Sequence, residues 1–259
     1  MKNNRFVFMA VAIVCFCSCG NTQSKNGEEQ QQVADSLVEA ERAAFRSLDL
    51  DGYNLMGHVK ECTMKSYDKV GKECDDFRNL TFTKEGLIEI DEAPYRGKLY
   101  FEYGESGKFL GGKDLTTEGM RVILKRDRDG RIQSIQRKAA TGAESDTQYE
   151  FKYSYDKEGR LKGIECVYWE VSEDIAFTYN NNKGNAFVAT EKSSLSDYEV
   201  DAVTTKTYTY TELDLYGNWL TREVAAVEEK SVTEMGEETA TTTQKNLPVV
   251  IEKREIQYW

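Results

Sequence analysis

Histidine and proline are almost missing from this sequence, which has one of the first and two of the second in 259 residues. With a single histidine, and with no CxxC spacing or Cys/His cluster, it offers no zinc site of the usual ligand types. Glycine-rich phosphate loops and dinucleotide fingerprints are lacking too, so neither cofactor nor metal is expected. Basic residues are outnumbered 34 to 45, giving a net charge of −11. That sign argues against nucleic acid, whose phosphates demand a basic footprint, and against electrostatic adhesion to anionic lipid. Its plainest role is solubility. The scarcity of proline, beside 15 tyrosines and many threonines, points to β structure rather than a disordered chain.

What is present begins with a leader. Lys2 and Arg5 precede Phe6 to Cys17, twelve apolar residues, against the roughly 18 to 20 that a spanning helix needs. Cysteines stand at 15, 17 and 19. Lipoprotein signal peptidase needs a small residue before its cysteine, and Val14 and Phe16 are too large whereas Ser18 fits. The stretch Phe16-Cys17-Ser18-Cys19 resembles a bacterial lipobox, with residues 1–18 as signal peptide and Cys19 as the lipidated residue. Removing Lys2 and Arg5 takes the net charge from −11 to −13. Two or more acyl chains, palmitate among them, anchor a protein stably where one does not. Gly20 rather than aspartate after the cysteine favours, by resemblance to Gram-negative lipoproteins, the outer membrane; periplasmic and surface faces both stay open.

Residues 19–32 are polar and read as a tether. Val33, Leu37, Val38, Ala40, Ala44, Phe45 and Leu48 recur at spacings of three and four, predicting an amphipathic helix over 33–48 that Asp49 to Gly52 break. From residue 55 the period becomes two. Tyr149, Phe151, Tyr153 and Tyr155 put four aromatics on one strand face. Asp156 to Arg160 form a turn with Gly159 at its positive-φ position, and Ile164, Cys166 and Tyr168 alternate on the return. Weaker copies centre on Gly86, Gly107, Gly130, Gly184 and Gly217, at spacings of 21 to 33 residues. The expected fold is an all-β antiparallel meander of about six hairpins, rolled or layered, with one N-terminal helix. Val227 to Lys245 reads as an exposed loop or extended hairpin, and Val249 to Trp259 as a final strand.

The strings Tyr153-Ser-Tyr-Asp-Lys-Glu-Gly-Arg-Leu161 and Tyr216-Gly-Asn-Trp219 resemble the YD repeats of Rhs-type proteins, and in particular short YD-repeat lipoproteins of Bacteroides-type bacteria. The resemblance covers roughly residues 55–259. In large Rhs proteins such repeats wind into a shell around a toxin; six hairpins are too few for a closed shell. The family is also associated with carbohydrate binding, for which Tyr149, Phe151, Tyr153, Tyr155, Trp169 and Trp219 are the candidate stacking rings. The reading preferred for these rings is a core between sheet layers.

Chemistry is thinly supported, and no catalytic residue is assigned. Glu165, Glu170, Glu173 and Asp174 cluster after the best hairpin and could supply a general acid and base, or simply a solvated edge. Asp127-Arg-Asp129-Gly130 is closer to a turn than to a calcium loop, and His58 at the start of a strand reads as structural. Cys62 and Cys74 flank a candidate turn in an oxidising compartment and could form a disulfide. The expectation is a membrane-anchored envelope lipoprotein with a non-enzymatic binding or structural role, its partner a glycan or an envelope protein. The rival is a carboxylate-dependent glycan hydrolase.

Overall fold

The computed structural model describes residues 44–259 except 95, 140–146, 169–170, 183–184, 198–199 and 233–240. Cys19, the tether, residues 33–43 of the expected helix, Trp169, Glu170 and Gly184 therefore lie outside the described residues. A five-residue helix, α1 (Leu48–Gly52), is followed by fifteen strands. These are β1 (Val59–Tyr67), β2 (Glu73–Phe82), β3 (Ile88–Ala93), β4 (Gly97–Tyr103) and β5 (Phe109–Asp114). Then come β6 (Met120–Arg126), β7 (Ile132–Ala139), β8 (Thr147–Tyr155), β9 (Leu161–Tyr168) and β10 (Val171–Asn182). The last are β11 (Asn185–Ser196), β12 (Val200–Leu213), β13 (Trp219–Val232), β14 (Thr241–Asn246) and β15 (Val250–Tyr258).

Every strand pairs antiparallel, and β1 to β12 run in sequence order. β13 pairs with β12 along one edge, and its other edge is shared: Thr221 to Val224 face β15 and Val227 to Val232 face β14. β15 then pairs with β1, so fourteen strands close into a barrel and β14 stands outside the ring. This overturns the expected six-hairpin rolled or layered meander. The segments between the recognisable hairpins are ladder positions too, so the hairpins fuse into one continuous sheet. Its closure depends on the β1–β15 pairing, which no local pattern announces. The helix boundary also needs correcting: Asp49 to Gly52, expected to break a helix, are themselves helical, with Ser47 as N-cap accepting from the Leu50 amide.

Three of the hairpin turns share one construction. The Asp156 amide donates to the Arg160 carbonyl (2.9 Å) and the Gly159 amide to the Asp156 carbonyl (3.0 Å). Asp156 Oδ1 accepts from the amides of Glu158 and Arg160, while Arg160 Nε returns a bond to Oδ2 (2.7 Å). Asp127 and Asp214 repeat the arrangement. Such a turn needs a left-handed residue at its fourth position, and Gly159 sits there at φ +83°. Two of these turns are also tied to the next hairpin. Arg131 lies 4.7 Å over the Tyr155 ring, whose hydroxyl donates to the Ile132 carbonyl; Arg160 lies 4.7 Å over Tyr179, which donates to Leu161.

Alternation decides what faces in. On β10, Ile175, Phe177 and Tyr179 point inward while Ser172, Asp174, Ala176 and Thr178 are exposed. Residues 45–58 plug the end that carries these turns. Leu50 and Leu55 are each 1% exposed, packed with Val59, Phe82, Ile88, Leu124 and Ile132. Polar ties reach around the ring: Ser47 Oγ to the Gly86 carbonyl, Asp49 to the Ile88 amide and Arg126, and the Met56 backbone to Asn218. His58 is part of this plug, stacked on Phe45 at 4.0 Å with Nε2 against the Lys84 carbonyl. The outer wall is the reverse of the inner one. Lys65, Lys125, Lys152, Glu165, Asp174, Lys192, Glu223, Lys253 and Glu255 all stand exposed on it, several at mid-strand.

Candidate functional site

Beyond the plug, the interior opens into a cavity of about 220 Å³. Its walls come from inward positions of β1, β2, β7 to β13 and β15. The apolar part is Leu80, Ile132, Leu161, Ile164, Phe177 and Val188, with Tyr153, Tyr155 and Tyr179. The polar part is a band of charges set by cross-strand neighbours. Glu191 and Lys206, opposite each other on β11 and β12, are paired at 2.9 Å, and Tyr208 donates to Glu191 as well. Arg222 and Glu252, opposite on β13 and β15, are joined through Nε and Nη2 at 2.5 Å. Arg78 grips buried Asp91 through two nitrogens, with Tyr53 donating and Arg96 at 3.6 Å.

These pairings fix the electrostatics. Burial alone would raise the Asp91 carboxyl, but Arg78 and Arg96 beside it hold it below its usual range. Glu191 behaves likewise: burial opposes its charge, and Lys206 with two hydrogen bonds prevails. Asp76, exposed at the cavity's edge, is the exception. Partial desolvation and then the charge of Glu252 push its carboxyl up. Arg254 is the other exception. It lies on the Trp219 ring at 3.8 Å, and its Nε and Nη1 are enclosed without a hydrogen-bond partner. Burial lowers this guanidinium to about 10.

A second cavity, of about 510 Å³, is lined by Tyr149, Phe151, Cys166, Tyr168, Glu173 and Arg96 among others. Tyr149 stacks on Tyr168 at 5.6 Å, and Glu173 accepts from Ser193.

The sequence-derived site residues are thus distributed as follows. Tyr149, Phe151, Tyr153 and Tyr155 all face the barrel interior: Phe151 is core, Tyr149 borders one cavity, and Tyr153 and Tyr155 border the other. Trp219 is 1% exposed beneath Arg222 and Arg254, so its faces are already covered. Of the acidic cluster, Glu173 points in, whereas Glu165 is outside, bonded to Lys152, and Asp174 is outside too. Strand alternation separates them, and they form no catalytic pair. Asp127 spends its oxygens on its own turn and on Arg131.

Cys62, Cys74 and Cys166 are free thiols. Cys62 pairs with Leu80 across the ladder, which puts Cys74 six residues further along β2, about 20 Å away at ~3.3 Å per residue. A disulfide needs Cα atoms within about 7 Å, so the expected Cys62–Cys74 bridge is not made. Among the described residues, no cluster of three or more His, Cys, Asp or Glu is placed to hold a metal ion.

Sequence reasoning missed Arg222, Glu252 and Arg254. The signal was present in β15, where Glu252 and Arg254 share a face with Ile256 and Tyr258, while Lys253, Glu255 and Gln257 hold the other. A strand charged on both faces requires one set of charges to be partnered inside.

No family model matches the sequence, and no curated protein matches it. Among solved structures, a porin-like protein from Bacteroides uniformis ATCC 8492 is similar over 77% of this chain and 96% of its own, at 11% identity and a TM-score of 0.41. A chain of the complex TcdB2-TccC3-Cdc42 is similar over 73% of this chain and 14% of its own, at 11% identity and a TM-score of 0.26. At these values neither likeness carries an inference about activity.

Proposed function

We propose that this chain is an outer-membrane lipoprotein, tethered through Cys19, whose barrel stands in water and binds a small ligand in its interior without catalysis. The polarity of the wall carries this reading. A barrel that faces lipid needs an apolar outer band about 25 Å tall, and each outward lysine or arginine near the midplane costs about 2–4 kcal/mol. Lys152 and Lys253 stand outward near the middle of their strands, beside outward Glu165 and Glu255. Such a wall is solvated by water, so attachment falls to the lipid. The ligand site is then the interior, where aromatic and charged side chains meet in a cavity. Binding is favoured over hydrolysis because Glu191, Glu252 and Asp91 are each held by a cation, which leaves Asp76 at the edge of this cavity without a second free carboxylate to complete an acid–base pair. The repeated Asp-x-x-Gly turn and its tie to the following tyrosine support relationship to YD-repeat, Rhs-like lipoproteins.

The test is fractionation with an alkynyl fatty acid label. Wild type should carry label and resist carbonate extraction, and Cys19→Ala should lose label and be released. An unlabelled Cys19→Ala chain that still resists carbonate would mean that the barrel itself is embedded.

A further inference from the structure

We infer that the cavity beside Arg254 is an anion seat, and that its occupant is a small amphipathic anion: a carboxylate or phosphate carrying one apolar ring or short chain. The inference rests on the interior being a ligand site and specifies the chemistry of what enters it.

The argument is one of matching charges. Each of the other cations that line the cavity has its carboxylate: Arg78 has Asp91, Arg222 has Glu252, and Lys206 has Glu191. Arg254 has none. Glu252, two residues before it on the same strand face, is the near candidate, but both of its bonds go to Arg222. On the neighbouring strand the residue opposite Arg254 is Met64, which offers no charge. Cys62 also lies near, as an uncharged buried thiol. The Trp219 ring beneath supplies π electrons yet accepts no in-plane hydrogen bond. Arg254 therefore keeps Nε and Nη1 enclosed and unpartnered. The one other unpaired charge among the described residues of this wall, Asp76, stands exposed at the cavity's edge beside Glu252, Lys206, Glu191 and Arg222 rather than Arg254. A guanidinium presents a planar fork of donors that fits the two oxygens of a carboxylate or phosphate.

The rest of the cavity describes the remainder of the ligand. Leu80, Ile132, Ile164, Phe177 and Val188 give apolar surface, and about 220 Å³ is below the roughly 300–1,000 Å³ of pockets for drug-sized ligands. A single ring or short chain fits that description, and an inorganic ion alone would leave these walls without a partner.

The experiment uses the purified full-length protein and four probes: benzoate, phenyl phosphate, inorganic phosphate and neutral benzyl alcohol. Calorimetry gives affinity, and the ligand-induced change in tryptophan emission is compared with that of Trp219→Phe to isolate the ring directly beneath Arg254. Benzoate or phenyl phosphate should bind saturably, at least tenfold tighter than benzyl alcohol and than inorganic phosphate. Arg254→Met should remove the preference for anions, and Arg254→Lys should retain part of it. The thermal midpoint of each variant guards against misfolding, and the wild-type preference among probes needs no variant.

If anionic and neutral rings bind alike and Arg254→Met changes nothing, the anion seat is refuted while the interior ligand site stands. If inorganic phosphate binds as tightly as phenyl phosphate, the apolar half of the assignment is wrong. Failure of all four probes to bind overturns both this inference and the ligand-binding role from which it starts.

Discussion

Two glycines in the same kind of turn should respond differently to the same substitution. Gly86 and Gly159 both occupy the left-handed position of a hairpin turn, at φ +77° and +83°. An L-residue there costs about 1–2 kcal/mol from backbone strain alone. A Cβ on Gly159 would meet nothing nearer than Arg131 Nη1 at 3.8 Å, so Gly159→Ala should cost only that. A Cβ on Gly86 would lie 2.7 Å from Ser47 Cβ and 2.8 Å from Phe45 Cε1, inside the plug. Overpacking of this kind adds about 1–3 kcal/mol, bringing Gly86→Ala to roughly 2–5 kcal/mol. With a urea slope of about 3 kcal/mol/M, the midpoints should fall by roughly 0.3–0.7 M for Gly159→Ala and roughly 0.7–1.7 M for Gly86→Ala. Ser47→Gly should partly rescue Gly86→Ala, so that the double variant costs less than the two single ones together. Equal midpoints for the two alanine variants, with no rescue, would mean that residues 45–47 do not pack under the β2–β3 turn. Gly159→Asn should be milder than Gly159→Val; if both are equally damaging, the left-handed assignment fails.

Asp91 lies buried between Arg78, Arg96 and Tyr53 with a carboxyl held below its ordinary 3.8, so its stabilisation is present above that value. It should be lost as pH falls from 3.8 through the depressed folded value, because the unfolded chain takes up the proton first. Asp91→Asn, which leaves two partly buried cations without a charged partner, should cost about 3 kcal/mol and flatten acid unfolding in that window; an unchanged acid transition would refute this. Thiol alkylation near pH 8 should modify half-exposed Cys74 well before Cys62 and Cys166, whose thiols burial pushes up, that of Cys166 to about 11. Recovery of a Cys62–Cys74 disulfide by non-reducing peptide mapping would contradict the β1–β2 register.

The hairpins were legible because their determinants are local. An aspartate, a glycine three residues on and an arginine after it carry the whole turn in their own hydrogen bonds, as Asp156, Gly159 and Arg160 do. The inward face of β8 was legible too, since four aromatics alternate there. Closure was not, because the residues of β1 that pair with β15 look no different from those of any edge strand. The cavity lining was hidden for a related reason. Arg222 and Glu252 meet only once β13 and β15 are neighbours, and nothing in either segment names the other. The assumption of a disulfide erred by treating closeness in sequence as closeness in space. Two cysteines on successive strands of a hairpin sit opposite each other only at matching distances from its turn, and Cys62 lies further from it than Cys74 does.

Apart from the seam where β1 meets β15, and the join of β13 to β15, the ladder is built between consecutive strands. Val59 finds Tyr258, roughly two hundred residues away, whereas a turn such as Asp156–Arg160 closes a loop of about five. Loop-closure entropy grows as (3/2)RT ln n, so the seam costs about 3 kcal/mol more to form than one of these hairpins. Assembly is then a zipper with a late clasp. Hairpins can form in order as the chain emerges, but the ring stays an open sheet, with unpaired edges on β1 and β13, until the final strand is delivered. Those bare edges invite pairing with other copies. A truncation that removed β15 alone would leave most of the ladder intact, yet would turn a closed ring into a sheet with two permanent adhesive margins.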